Sequence, residues 1–167
     1  MILVTVGSSE RPFNRLLAAV DAVAPRLGEP VVMQSGLVPF PGRHTQCVGL
    51  LAFSEMEVLC RKARVMVGHA SIGVVIVARR FGQPLVLVPR DPARGEVFND
   101  HQLQFARAVQ NTSPMIEVLD DVVGLEDAIR RAQEKADGHA AYGPDLEHER
   151  LLAAIRAAVE GRNSITP

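Results

Sequence analysis

Three short polar segments of the sequence have residue types that can bind phosphate or hydroxyl groups. The first, Gly7-Ser8-Ser9, follows an apolar run and precedes a predicted helix. Glycine allows a tight turn there, and free amides with two hydroxyls can hold phosphate oxygens at the positive end of a helix. An ordinary strand-to-helix turn is the alternative, because the segment matches neither the dinucleotide fingerprint nor the Walker loop.

The second segment, His69-Ala70-Ser71-Ile72-Gly73, repeats this arrangement after another apolar run. Its small residues permit close approach of a ligand, although Ser71 can equally cap the helix that follows. A histidine at the end of a strand serves either as an acid or base or as a hydrogen-bonded structural residue. The segment therefore provides His69 as a tentative catalytic candidate and its neighbours as candidate phosphate ligands.

The third segment is the densest polar stretch of the chain, with Arg90, Asp91, Arg94, Glu96, Asn99, Asp100, His101 and Gln102. Residues 99–102 open a predicted helix, and a cap from Asn99 or Asp100 explains only one of the four. His101 and Gln102 have donors and acceptors suited to sugar hydroxyls. Arg90 and Arg94 suit a diphosphate or a carboxylate, or they are solvated loop charges.

Several classes of chemistry lack support in the sequence. It contains no Asp-x-Asp pair for a divalent metal, no cluster of cysteine and histidine ligands, and no Gly-x-Ser-x-Gly elbow. Cys47 and Cys60 lie in apolar surroundings without metal-ligand spacing, which is typical of reduced core residues in a cytosolic protein. We therefore expect neither a metal nor another cofactor.

Composition excludes two further classes. The 167 residues have a net charge of -1, 4% aromatic residues and no Trp, so neither a basic patch nor a stacking platform for nucleic acid is expected. No signal peptide is visible, and the longest apolar runs are far shorter than a membrane span. The sequence predicts a cytoplasmic protein without a span of its own.

The three segments are positioned by alternating strands and helices. Strands are predicted over 2–6, 30–34, 46–50, 64–67, 85–88 and 115–119. Helices are predicted over 12–25, 54–62, 100–110, 122–135 and 146–160, with one more that follows Gly73 and ends near Phe81. This alternation predicts one Rossmann-like α/β domain with a parallel sheet of about six strands flanked by helices. Ligands of such sheets bind at the carboxyl ends of the strands, where all three polar segments fall.

Some boundaries rest on particular residues. Pro12 is expected in the first turn of its helix, Ser54 and Glu57 form a predicted capping box, and Gly82 is a predicted C-terminal cap. Residues 74–77 are a β-branched run for which a strand competes with the helix. The Rossmann-like domain is placed at 1–137, and residues 138–167 are interpreted as a linker plus a helix packing on it.

The segments together resemble the C-terminal, donor-binding domain of glycosyltransferase family 28. The resemblance covers residues 2–119 and rests on Val4-Thr-Val-Gly7 with Pro12-Phe13, Val67-Gly-His-Ala70, Gly82-Gln-Pro84, Pro89-Arg90, Gly95-Glu96 and Asn99-Asp-His-Gln102. Within the family it is most similar to small stand-alone subunits that pair with a membrane-associated partner. These include the subunit of the dolichol-linked GlcNAc transferase and that of a bacterial exopolysaccharide glucuronosyltransferase.

The resemblance implies the C-terminal half of a GT-B glycosyltransferase. Such a chain would bind a UDP-sugar and transfer a hexose, glucuronic acid or GlcNAc, with inversion and without metal, to a lipid-linked acceptor in polysaccharide biosynthesis. The acceptor base and the attachment to the inner face of the membrane would come from the partner, and the isolated chain could form a homodimer. The resemblance assigns the diphosphate to Gly7, Ser8, Ser9 and the loop with His69, Ala70, Ser71 and Gly73, and the sugar to Asn99, Asp100 and Gln102. Arg90, Glu96 and His101 complete the candidate donor ligands by their residue types.

Three positions depart from the family pattern. Ser71 replaces a glycine of the family's His-Ala-Gly-x-Gly segment, Val74 replaces the serine or threonine that follows it, and Val77 stands where related enzymes often have a glutamate for the ribose. A degenerate subunit that binds nucleotide-sugar without catalysis, or regulates a partner, is therefore the alternative function. A different Rossmann-like nucleotide-binding protein is the third interpretation.

Overall fold

The computed structural model describes residues 1–138. Its strands are β1 (Ile2–Thr5), β2 (Val31–Gln34), β3 (Gln46–Val48), β4 (Val65–His69), β5 (Leu85–Val88) and β6 (Ile116–Val118). Its α-helices are α1 (Asn14–Val23), α2 (Phe53–Lys62), α3 (Ile72–Arg80), α4 (His101–Val109) and α5 (Leu125–Asp137), and short 3-10 turns cover Ala24–Arg26 and Pro92–Arg94. The predicted linker and C-terminal helix lie outside the described residues.

The strands form one parallel sheet in the order β3-β2-β1-β4-β5-β6. The chain moves outward from β1 to β3 and then crosses back to β4 on the other side of β1. Thr5 of β1 pairs with Gly68 of β4 in this central register. The carboxyl ends of β1 and β4 therefore meet at the switch in strand order, where this class of sheet binds ligands. The predicted six-stranded Rossmann-like fold is confirmed.

Two layers of helices cover the sheet, which explains why the strands are apolar throughout. On one face α1 and α5 pack against alternate strand residues such as Val4, Val67 and Val86. On the other, α2, α3 and α4 pack against the intervening residues, including Leu3 and Leu87. Burial on both faces fixes the register of each strand, and with it the residue at which each strand reaches the edge.

The predicted start of the first helix was wrong by two residues. Phe13 is the N-cap of α1, and its carbonyl accepts from the amides of Leu16 and Leu17, so Pro12 lies before the helix. At the other end Pro25 lies in the 3-10 turn that continues α1. Because proline has no amide to donate back into the preceding turn, the regular α-helix ends just before it.

The predicted capping box was also displaced. The N-cap of α2 is Ala52, whose amide donates to the Glu55 carboxylate at 2.8 Å, while Glu57 pairs with Arg61 and Arg80. Two glutamates two residues apart offer two registers for a helix start. Only Glu55 lies three residues after the cap, and only this half of the motif forms, because the Ala52 side chain has no oxygen to accept from the Glu55 amide.

The glycine predicted to end the third helix does so. Gly82 has a φ of +66°, its amide donates to Arg79 O, and the next amide, of Gln83, donates to Ala78 O. These bonds form a Schellman motif. The β-branched run before it is helical, because burying Val74, Val75 and Ala78 on one side of α3 outweighs the local strand preference.

Candidate functional site

The loop after β1 and the end of β4 are in direct contact. Gly7 has a φ of +76°, and a Cβ built on it would lie 2.8 Å from Cε1 of His69. The imidazole therefore occupies the space that a side chain at position 7 would need. The structure thus brings together the first two predicted segments at the switch in strand order.

His69 is neutral at physiological pH. Burial, followed by the nearby positive charge of Arg90, lowers the pKa of its imidazole to about 4, while its contact with the backbone at Thr5 opposes the shift. Nδ1 lies 3.5 Å from Thr5 O. A neutral imidazole can donate or accept a hydrogen bond but adds no positive charge for a diphosphate. Its catalytic role stays a prediction.

Ser71 caps α3. It is the N-cap residue, with its hydroxyl accepting from the Val74 amide at 3.4 Å. Ala70 is buried, and Gly73 has open space beside it, so the N-terminus of this helix is accessible at Gly73. The side chain of Val74 is buried and packs towards Gly68, which explains how an apolar residue is tolerated at this position of the loop.

Arg90 lies in the interior and is not a solvated loop charge. It is 1% exposed, and its guanidinium donates to three backbone carbonyls, Val6 O at 3.0 Å, Arg11 O at 2.9 Å and Glu96 O at 3.1 Å. Its centre lies 4.7 Å from the ring of Phe13. Direct contact between Arg90 and a donor stays a prediction that these bonds do not favour.

Glu96 is held by an arginine that sequence reasoning missed. Both carboxylate oxygens of Glu96 accept from Arg15 at 2.9 Å, and Oε2 also accepts from the Asp91 amide. Arg15 further donates to Pro89 O and to Asp121, and these carboxylates raise the pKa of its guanidinium. The two partners are 81 residues apart, so no local pattern pointed to the pair.

Arg94, the other arginine offered for a diphosphate, lies at the surface. Its guanidinium pairs with Asp121 at 2.7 Å and with Asp91 at 3.4 Å. Arg11 was not singled out by the sequence. It donates to Gly95 O at 2.7 Å and lies 3.9 Å from the ring centre of Phe98. The loop after β5 is thus fastened to the loop after β1 on its outer side as well.

The last predicted segment begins α4. Gln102 Oε1 accepts from the Arg90 amide at 3.0 Å, which joins the helix to the end of β5. Asn99 Oδ1 accepts from the His101 amide, and Asp100 Oδ2 accepts from Gln104. Asn99 therefore forms the local cap interaction, and the Asp100 side chain does not cap the helix.

The predicted site residues fall into three groups by exposure, of which the half-buried one contains Gly7, His69, Ser71 and Gln102. The side chains open to solvent at the edge are Ser8, Ser9, Asn99, Asp100 and His101, whereas Ala70, Arg90 and Glu96 are buried. Contacts run from His69 to Gly7, through Arg90, to Gln102. The three segments are therefore parts of one edge of the molecule.

Neither a metal centre nor a membrane span is evident in residues 1–138. No group of three or more potential ligands among histidine, cysteine, aspartate and glutamate occurs in this part of the chain. None of the helices described there is both long and apolar enough to cross a bilayer.

Comparison with known proteins agrees with this architecture. The model of the glycosyltransferase family 28 C-terminal domain matches residues 1–144. A search of curated proteins returned no significant match. Among solved structures the chain is similar to ALG13, with a TM-score of 0.53, 14% identity and coverage of 81% of this chain and 86% of that chain.

The chain is also weakly similar in structure to part of a larger protein. The glycosyltransferase SnogD from Streptomyces nogalater gives a TM-score of 0.46 and 17% identity, with 95% of this chain covering 39% of that one. The likeness to ALG13, at its low identity, shows the fold alone. The family match extends over most of the sequence, and on that ground the chain belongs to the glycosyltransferase family 28 C-terminal domains.

Proposed function

We propose that this chain is the donor-binding subunit of a two-component hexosyltransferase. It binds a UDP-sugar at the edge formed by residues 7–9, 69–73 and 96–102. A membrane-associated partner supplies the acceptor site and recruits the chain from the cytoplasm to the inner face of the membrane. The sugar, glucuronic acid or GlcNAc, passes with inversion to a lipid-linked acceptor in polysaccharide biosynthesis.

One observation carries the proposal. The segments predicted to bind phosphate and sugar converge at the switch between β1 and β4, linked by the contacts of Gly7 with His69 and of Arg90 with Val6 O. The positions of the helix N-termini also fit diphosphate binding at this edge. Two helices begin near this edge with accessible groups, at Gly73 and at Asn99, and the N-terminus of a helix attracts a diphosphate.

The need for a partner follows from the chemistry of the edge. An inverting transfer requires a base to take the proton of the acceptor hydroxyl. The imidazole of His69 packs against Gly7 and is desolvated, which suits holding the loop better than reaching an acceptor. In the family resemblance the base belongs to the acceptor domain, so we assign it to the partner. The isolated chain can form a homodimer when that partner is missing.

Calorimetric titration with UDP, UDP-glucuronate and UDP-GlcNAc tests the donor class, with ADP as the control nucleotide. We expect saturable binding of uridine nucleotides that ADP does not reproduce. Binding of the matching UDP-sugar should be tighter than binding of UDP alone. Failure of all three uridine ligands to bind, also with a membrane-associated partner present, would overturn the proposal.

Gln102→Ala tests the sugar-recognising part of the edge. We expect it to reduce the preference for one UDP-sugar over another by about tenfold while UDP alone binds nearly as before. Gln110→Ala is the matched control, because Gln110 is an exposed glutamine at the other end of α4. Equal losses for UDP and UDP-sugars in the Gln102 variant would contradict the assigned role.

A second candidate function is a binding subunit without catalysis. Its support is specific: the Ser71 hydroxyl is engaged by the Val74 amide, Val74 has no hydroxyl to offer, and His69 carries no charge. In this alternative the chain presents or senses a nucleotide-sugar for its partner. Saturable binding without any sugar transfer by the reconstituted pair would favour this alternative over the transferase.

A further inference from the structure

We propose that Arg90 is a positioning residue that sets the conformation of the loop after β1 from inside the protein, before any donor is bound. This loop, residues 7–10, is called the phosphate loop below. The inference rests on the proposed function for its consequence, which is that donor affinity depends on a residue that does not touch the donor. Its structural basis is independent of that function. It concerns how one guanidinium joins the loop after β1 to the loop after β5.

The guanidinium of Arg90 holds the phosphate loop at both ends. It donates to Val6 O, the residue immediately before Gly7, and to Arg11 O, immediately after Glu10. The four residues between, 7–10, contain the predicted phosphate ligands. Holding one carbonyl on each side of so short a loop strongly limits the backbone conformations of the residues between them.

The same guanidinium is anchored to the loop after β5. Nη1, which donates to Arg11 O, also donates to Glu96 O, and the Glu96 carboxylate is in turn clamped by Arg15. The phosphate loop and the 96–102 segment are therefore positioned relative to each other by one buried side chain. Because both halves of the binding edge are already in place, less conformational entropy is lost when a ligand binds.

The backbone of Arg90 extends this arrangement to the sugar-recognising residue. Its amide donates to Gln102, so the acceptor atom must be Oε1 and the orientation of the side-chain amide is determined. The Gln102 NH₂ group makes no hydrogen bond within residues 1–138 and is the part left for a ligand. Gln102 would consequently present donors, which suit the oxygen atoms of a sugar or a carboxylate.

Arginine is required at this position by geometry and burial. The planar guanidinium reaches three carbonyls in two loops, whereas a lysine ammonium is a compact point charge that cannot span them. Nε finds no hydrogen-bond partner in the described part of the chain, and burial lowers the pKa of the guanidinium. Desolvating this charge costs free energy, and the three hydrogen bonds to backbone carbonyls offset that cost. A purely apolar core would need neither the charge nor these bonds.

Amide hydrogen exchange of ligand-free Arg90→Lys provides the first measurement. We expect exchange in residues 7–11 and 91–96 to accelerate by about tenfold or more, while exchange in β1 itself changes little. UDP affinity should fall by about tenfold in the same variant. Arg11→Ala removes the exposed bond to Gly95 O but keeps the carbonyl that Arg90 binds, so its effect on exchange should be smaller. Arg90→Gln, which keeps a planar donor too short to span the carbonyls, serves if Arg90→Lys does not fold.

Asp21→Asn is the matched control for general destabilisation. Asp21 is also a buried polar residue that holds a loop by its backbone, accepting from the amides of Arg43 and His44. We expect it to loosen residues 43–45 and lower the melting temperature without altering UDP affinity.

The outcomes separate the two claims. Unchanged exchange at 7–11 in the folded Arg90 variant overturns the positioning role, whatever the wild type binds. Equal loss of UDP affinity in Asp21→Asn at a matched melting temperature also overturns it. A wild-type protein that binds no uridine nucleotide overturns the proposed function, and is recognised independently of the exchange data.

Discussion

His69 shows how a single side chain can be shaped by its surroundings more than by its type. Its ring packs against Gly7, is largely desolvated, and lies near the positive charge of Arg90, so that the neutral form is favoured. In the unfolded chain the same imidazole titrates near its ordinary pKa. The difference between the two states makes the stability of the fold depend on pH.

We expect the protein to lose stability as the pH falls from 7.5 to 5. The unfolded chain binds a proton near pH 6.5, whereas native His69 resists it down to about 4, so acid favours unfolding in that window. The loss should be about 2 kcal/mol by pH 5. Chemical denaturation across this range measures it, and His69→Gln should give a flatter profile; an unchanged slope would contradict burial of the neutral imidazole.

Substitution of Gly7 tests its close contact with the His69 ring, and substitution of Gly28 is the control. Both have positive φ, but a Cβ at Gly7 would collide with His69, while one at Gly28 meets nothing within 4 Å. Gly28→Ala should cost about 1 kcal/mol from backbone strain, and Gly7→Ala about 1 kcal/mol more. Denaturant melts measure both, and His69→Ala should remove the excess. Equal costs in the wild-type background would show that the ring gives way freely.

At the scale of elements, the N-terminus of α3 has two uses. The Ser71 hydroxyl satisfies the Val74 amide and so stabilises the helix, yet the same amide is one that a phosphate oxygen could use. The glycine of the family pattern leaves that amide free. The serine at position 71 therefore uses for helix stability an amide that a glycine would leave free.

Two substitutions at Ser71 separate these uses. Ser71→Gly should cost only a few tenths of a kcal/mol and raise UDP affinity, because it frees the Val74 amide and opens space. Ser71→Ala should cost about 1 kcal/mol, with less gain in affinity since the methyl group keeps the space occupied. Denaturation and calorimetric titration of the pair provide the comparison. Lower UDP affinity in Ser71→Gly would instead show that the hydroxyl itself contacts the phosphate.

For the molecule as a whole, stability should decrease from the centre of the sheet to the β3 edge. Strands β1 and β4 pair on both sides and are covered by both helical layers, whereas three-residue β3 pairs only with β2. We expect mean amide exchange in β1 and β4 to be about a hundredfold slower than in β3. Native-state exchange measured by NMR tests this order. Equal protection would indicate one cooperative unit that opens only globally.

The sequence by itself determined the order of strands and helices and the edge at which the candidate ligand-binding residues collect. Both follow from local information: apolar runs ended by glycine predict buried parallel strands, and parallel strands place every following loop at the same edge. Helix starts at Pro12 and Ser54 were misplaced, because the N-cap residues in the structure, Phe13 and Ala52, have no capping side chain for a local pattern to detect.

Only the tertiary structure decided what the charged residues of that edge do. Arg90 was expected to face a ligand or solvent but bonds to carbonyls as far as 84 residues away, and Glu96 pairs with Arg15 across 81 residues. Such pairings depend on which strands become neighbours, and they create burial that no local pattern encodes. The same contacts shifted the pKa of His69, since desolvation belongs to the folded state and not to the residue type.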